Sequence, residues 1–109
     1  MPTYEEDHYV LDDGECINEQ YPDTFWIPEK SARESLVIGD LVKLIFSMEG
    51  RAGSEGASVE RMWVEVTEIC EGHYVGRLDN EPYGSECVKC DQTVFFQPRH
   101  VIDIYREAT

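Results

Sequence analysis

Two runs of this chain, Arg61-Met62-Trp63-Val64-Glu65-Val66-Thr67-Glu68-Ile69 and His73-Tyr74-Val75-Gly76-Arg77-Leu78-Asp79-Asn80, are rich in aromatic and β-branched residues and are joined by Glu71-Gly72. An acidic residue followed by glycine between two such runs predicts a tight β-hairpin. Side chains alternate across a strand, so Met62, Val64 and Val66 share one face and Trp63, Glu65 and Thr67 the other. On the return strand Tyr74, Gly76 and Leu78 oppose Val75, Arg77 and Asp79. Val64 and Val66 are expected in the core. A chain with this hairpin at its centre is committed to an antiparallel sheet, and the other segments read as strands added to it.

Asp40-Leu41-Val42-Lys43-Leu44-Ile45-Phe46 is the strand before it, fed by a Gly39-Asp40 turn, with Val42, Leu44 and Phe46 on the core face. Ser31 to Leu36 is expected to form a short helix, with Ser31 as its cap, Glu34 at the capping-box position and Gly39 as the stop. Between the first two strands, Glu49 to Ser58 contains three glycines and reads as a flexible loop. Turn residues from Asp79 to Gly84 break the hairpin's second strand. Thr93-Val94-Phe95-Phe96 is a fourth strand, Gln97-Pro98-Arg99-His100 a tight turn of 3₁₀ type, and Val101 to Tyr105 a fifth strand. These elements fit a mainly β domain, a small five-stranded SH3-like barrel over residues 24–109, with an OB-type barrel as the alternative. Residues 1–23 show no sustained period and read as an acidic N-terminal arm, extended or partly docked. Phe25 and Trp26 are expected to pack and to anchor it.

The chain has 109 residues, one domain's worth, and a formal net charge of −14, from 9 basic and 23 acidic side chains. Residues 1–35 carry ten acids and two bases, so more than half of the excess sits in the first third. A surface of this sign repels nucleic acid and anionic lipid, since phosphate binding needs clustered Lys and Arg. It favours and steers cationic partners. The sequence holds no apolar run of membrane-spanning length and no apolar leader, which makes the cytoplasm the expected location, with reduced cysteines.

Four blocks carry a family resemblance: Gly39 to Phe46, Glu60 to Thr67, Gly76 to Pro82 and Val94 to Ile104, of which Glu60-Arg61-Met62-Trp63-Val64-Glu65-Val66-Thr67 and Leu78-Asp79-Asn80-Glu81-Pro82 are the most specific. Over about residues 24–105 the chain resembles the YegJ-type bacterial domain, a family with no established activity. The resemblance implies a bacterial cytoplasmic barrel. In relatives a second Gly-Asp usually precedes the fourth strand; here Cys90-Asp91 stands in its place.

Two constellations could carry chemistry. Cys70-x2-His73 and Cys87-x2-Cys90, with thirteen residues between them, have the paired spacing of a tetrahedral zinc site. The same four residues also suit ordinary reduced thiols and a turn histidine, and the metal-free reading, with no cofactor, is preferred. Arg61, Trp63, Glu65, Asp79, Asn80, Glu81 and Tyr83 mix aromatic and charged groups on one hairpin and its exit, a composition suited to a recognition surface. No nucleophile elbow is present, and His8, His73 and His100 lie in unrelated segments. The expectation is therefore a non-enzymatic acidic protein-binding module. Its most concrete form is an inhibitor or immunity-type protein that masks a basic bacterial partner such as a nuclease toxin. The alternatives are a zinc-binding module built on the Cys/His set and a small-ligand-binding domain with its pocket near Trp63.

Overall fold

The computed structural model describes residues 1–50 and 57–106. The expected glycine-rich loop falls largely on residues 51–56, which lie outside the described residues. The strands are β1 (Tyr9–Leu11), β2 (Leu41–Glu49), β3 (Ala57–Cys70), β4 (His73–Leu78), β5 (Thr93–Phe96) and β6 (Asp103–Ile104). Three short helices, α1 (Tyr4–Asp7), α2 (Gly14–Gln20) and α3 (Lys30–Arg33), precede β2, and a 3₁₀ turn at Pro98–His100 precedes β6. All pairings are antiparallel, in the order β1-β2-β3-β4-β5, with β6 also on β2. The sheet curls into a half-barrel.

The curl originates in β3. Its first half, up to Glu65, pairs with β2, and its second half, from Val64, pairs with β4. The two ladders overlap at only two residues. A register shift between Val66 and Glu68 bends the strand just after the overlap, and extra residues of this kind increase the local twist. The hairpin turn is as expected, with Gly72 in the left-handed region at φ +81. The expected core faces also hold: Val42, Leu44, Phe46, Met62, Val64, Val66, Tyr74 and Leu78 are all buried. Gly76 lies where β4 crosses closest to the core. A Cβ there would stand 2.4 Å from Val64 Cγ1 and 2.7 Å from the Glu65 carbonyl oxygen, so no larger residue fits without moving backbone.

Three local expectations need correction. The sheet has six strands rather than five, because residues 9–11 of the expected arm pair with Met48, Ser47 and Phe46 of β2. Tyr9 is 1% exposed, its ring 5.2 Å from that of Phe46. Three residues are too few to show a period, so only the burial of one aromatic reveals the strand. The helix near residue 31 starts one residue early, at Lys30, and its Glu29 cap makes no side-chain hydrogen bond, while the Ser35 hydroxyl bonds the Ser31 carbonyl oxygen. Phe25 is half-buried, but Trp26 is 77% exposed. In the connection from 85 to 91, Val88 is buried in the core. Asp91, in the turn before β5, adopts the left-handed conformation with φ +72.

The N-terminal segments are tied down by Arg33. Its guanidinium is buried and donates to the carbonyl oxygens of Pro28 and Pro98 and to the Glu15 carboxylate. This joins α2, α3 and the 3₁₀ turn. The Tyr74 hydroxyl donates to the Arg33 carbonyl oxygen at 3.0 Å, which connects the cluster to β4. In the 3₁₀ turn His100 is buried, and its Nδ1 accepts the Gln97 backbone N–H at 2.9 Å, so the imidazole is held neutral. Burial pushes its pKa down to about 4, helped by Arg99 and opposed by Asp13.

Two outcomes follow. Tyr9→Ala should cost about 3–5 kcal/mol in urea unfolding, as for other buried aromatics, and a Tyr9→Ala protein of unchanged stability would mean that β1 is not part of the core. On unfolding His100 returns to its ordinary 6.5, so the unfolded chain takes up a proton that the folded chain refuses until about pH 4. Its contribution is complete above pH 6.5 and falls as the pH drops toward 4, by about 2 kcal/mol at pH 5. His100→Gln should flatten the stability profile between pH 7 and 5 by that amount; parallel profiles for the two proteins would contradict the assignment.

Candidate functional site

The inner face of the curled sheet is filled by core, so candidate binding groups lie on its outer face. Residues opposite one another across antiparallel strands project to the same side, and the register lines up Asp103 of β6, Lys43 of β2 and Trp63 of β3 in one row. Lys43 Nζ stands 4.7 Å from the centre of the Trp63 ring, a cation–π contact, and Tyr105 meets that ring edge-on at 6.1 Å. Trp63 is half-buried and forms the centre of this face.

Toward β6 the face opens into a concave groove of about 540 Å³, between the 24–28 segment and the strands. Phe25, Trp26, Ile102 and Ile104 supply apolar wall, and Lys43, Arg61 and Arg106 converge on it. The Arg61 guanidinium lies 5.7 Å from the centre of the Phe25 ring. Elsewhere Arg33, Arg77 and Arg99 each pair with a carboxylate, whereas among the described residues these three groove cations form no salt bridge. Three cations in one hollow, with Asp103 as the carboxylate of its lining, stand out in a chain of net charge −14.

Toward β4 the sign reverses. Arg77 bonds Glu65 at 2.8 Å and approaches Asp91 at 3.6 Å. The Glu65 hydrogen bond, with the nearby charges of Glu65, Asp91 and Asp79, pushes the Arg77 pKa further up. Burial, together with Asp91, Glu81 and Asp79, pushes the Cys90 thiol up as well. One arginine thus sits among Glu65, Asp79 and Asp91, and Glu81 adds to the same field at Cys90. Tyr83, 86% exposed, stands on the same 79–84 loop.

The loop's position follows from backbone accounting. β4 stops at Leu78, which leaves the first half of β3 without a partner on that side. The loop covers this edge. Asp79 N–H donates to the Trp63 carbonyl oxygen, Asn80 Oδ1 accepts the Trp63 N–H, and the Glu60 carboxylate accepts the N–H groups of Tyr83 and Gly84. Gly84 is needed there because a Cβ would collide with the Ser58 hydroxyl, 2.0 Å away. Asn80 therefore has a structural task. Glu60, which sequence reasoning missed, fixes the loop; its only sequence signal was its place at the start of a β-run.

The sequence-predicted recognition set is brought onto one face but divided between two poles. Arg61 borders the groove; Glu65, Asp79, Glu81 and Tyr83 form the acidic side; Trp63 and Asn80 lie between them. The predicted metal set is not assembled. Cys70 and His73 pair at the hairpin end of β3. Cys87 lies beside His8 and Glu49, and Glu49 pairs with Ala57 at the opposite end. The path along β3 between those ends is about 40 Å. Cys90 is held midway, its Sγ 3.7 Å from the Leu78 carbonyl oxygen. Close spacing in sequence misled here because it ignored the length of the strand that separates the pairs. Burial and Glu68 push the Cys70 thiol up, which holds it protonated at neutral pH.

No family model, no curated protein and no solved structure matches the chain. Among the described residues no helix is long and apolar enough to cross a membrane.

Asn80→Ala removes the acceptor of the Trp63 N–H and should cost about 1–2 kcal/mol. Amide hydrogen exchange at Trp63 should accelerate, and Asn80→Asp, which keeps an acceptor, should restore most of the protection. Unchanged exchange in Asn80→Ala would show that the loop does not depend on this bond.

Proposed function

We propose that this chain is a non-enzymatic protein-binding module whose acidic pole receives a basic protein. The observation that carries the reading is the exposed Tyr83 on a loop pinned by Asn80 and Glu60, a loop that also carries Asp79 and Glu81. An aromatic anchor on a pre-organised backbone loses little conformational freedom on docking. Carboxylates around it steer a cationic partner into place. In this reading the protein acts as an inhibitor or immunity-type cover for a basic, nucleic-acid-binding partner in the bacterial cytoplasm. Its half-barrel would be a variant of the SH3-like, YegJ-type domain that the sequence blocks resemble.

A second reading rests on the groove. The convergence of Lys43, Arg61 and Arg106 beside Phe25 and Trp26 favours an anionic ligand with an apolar or aromatic body, held by ion pairs and stacking.

One experiment separates the two. A partner captured from the host is tested for association kinetics across a salt series. For a basic partner on the acidic pole, association should slow about tenfold or more from low to high salt. Asp79→Asn/Glu81→Gln should slow association, and Tyr83→Ala should mainly speed dissociation. An acidic partner lost in Arg61→Glu would put the groove first, and salt-independent association would remove the electrostatic reading.

A further inference from the structure

At the far end of the sheet from the hairpin turn, three donors of different chemistry meet: the His8 imidazole, the Glu49 carboxylate and the Cys87 thiol, each offering an atom within 4.8 Å of the other two. They come from three separate segments: the junction of α1 and β1, the last residue of β2, and the 85–91 connection. From these positions we infer a zinc site built from His8, Glu49 and Cys87, with an open fourth position.

Nitrogen, oxygen and sulfur donors together match the borderline-soft character of Zn²⁺ and suit neither Mg²⁺ nor Ca²⁺, which take oxygen ligands. The chain has only three histidines and four cysteines, so their meeting with a carboxylate is more specific than another cluster of its 23 acids. The framework under the donors is fixed. His8 takes a left-handed backbone conformation, φ +67, as the cap of α1, and its carbonyl oxygen accepts the Glu49 N–H at 2.8 Å. That bond holds two ligand-bearing residues side by side whether or not metal is bound. His8 Nδ1 and Glu49 Oε2 are 2.7 Å apart and bonded to each other. Ligands at about 2.0–2.3 Å from a tetrahedral ion stand roughly 3.2–3.8 Å from one another. Binding therefore opens the His8–Glu49 pair and draws Cys87 inward by about 1 Å. These are side-chain movements, and all three residues are exposed. Cys87 gives up its thiol proton to solvent as the Zn–S bond forms. With three protein ligands, a water or a donor from another molecule completes the shell.

The four-residue set expected from the sequence shares only Cys87 with this site. The two assignments therefore make opposite predictions for the remaining cysteines.

The test uses the full chain, stripped with a chelator and titrated with Co²⁺ as a spectroscopic stand-in, followed by Zn²⁺. A single equivalent of Co²⁺ should give a thiolate-to-metal charge-transfer band in the near ultraviolet, which Zn²⁺ then abolishes. Cys87→Ser should remove the band, and His8→Ala and Glu49→Gln should each weaken binding by about tenfold or more. Cys70→Ser and Cys90→Ser should leave both band and affinity unchanged. Circular dichroism of each variant checks the fold, and the exposure of all three ligands makes unfolding by these changes improbable. No charge-transfer band, a band that survives Cys87→Ser, or one lost in Cys70→Ser would each overturn the site.

Discussion

The structure depends on β3 changing partners. A fourteen-residue strand that kept one neighbour throughout would make a long flat ribbon. Here the first half belongs to β2 and the second to β4, with the register shift after Val66 turning one into the other. Curling follows from that exchange, and so does a problem: each half of β3 has an edge its neighbours do not reach. Unpaired strand edges attract other chains unless they are covered. The Gly39-Asp40 turn answers at one edge, where Val66 donates to the Asp40 carbonyl oxygen and accepts the Gly39 N–H. Asn80, Glu60 and the 79–84 loop answer at the other. The position of the 79–84 loop follows from an edge that needed closing.

The second constraint is the outer rim of β2, which β1 and β6 share from the same side. Both are too short to be stable alone, and each is held by what precedes it. β1 is seated by the burial of Tyr9. β6 follows a 3₁₀ turn that is packed under α2, where a Cβ on Gly14 would meet Ile102 at 2.9 Å. Arg33 lies at the junction. Burying a guanidinium is tolerable only when its donors are satisfied, and its three recorded acceptors come from three segments. The N-terminal acidity thus has a local use: Glu15 neutralises Arg33, and Asp13 faces Arg99 at 3.7 Å.

These points explain what the sequence revealed and what it hid. Period-2 alternation exposed β2, β3, β4 and β5 and their core faces, because burial on one side of a pleat leaves a local trace. Glu-Gly at 71–72 and Pro98 marked the turns by the dihedral angles they favour. β1 left no such trace, since its evidence is the contact of Tyr9 with a ring thirty-seven positions away. Arg33 and Glu60 were invisible for the same reason: a polar residue's task is set by acceptors and donors brought by distant segments. Alternation placed Arg61, Trp63 and Glu65 on one face of β3, but the division of that face into poles needed the register. The cysteine pairs failed most plainly, because spacing along a chain says nothing about a long strand lying between them.

That division of charge limits how the outer face can be used. A salt-screened surface loses fields from charges farther apart than about 8–10 Å, so net charge alone cannot direct a partner to one spot. Local contrast can. Trp63 lies between Lys43, stacked on its ring, and Asn80, bonded to its backbone. Lys43, Arg61 and Arg106 are on the β6 side with Asp103 among them, and Glu65, Asp79 and Asp91 surround Arg77 on the β4 side. For a partner of the kind proposed above, uniform charge would gain at one pole and be repelled at the other, whereas matching size and sign would admit it at its own pole alone. Its orientation would then be fixed at encounter, before any side chain is buried. It is the β3 register, shared between β2 and β4, that sets the two poles apart.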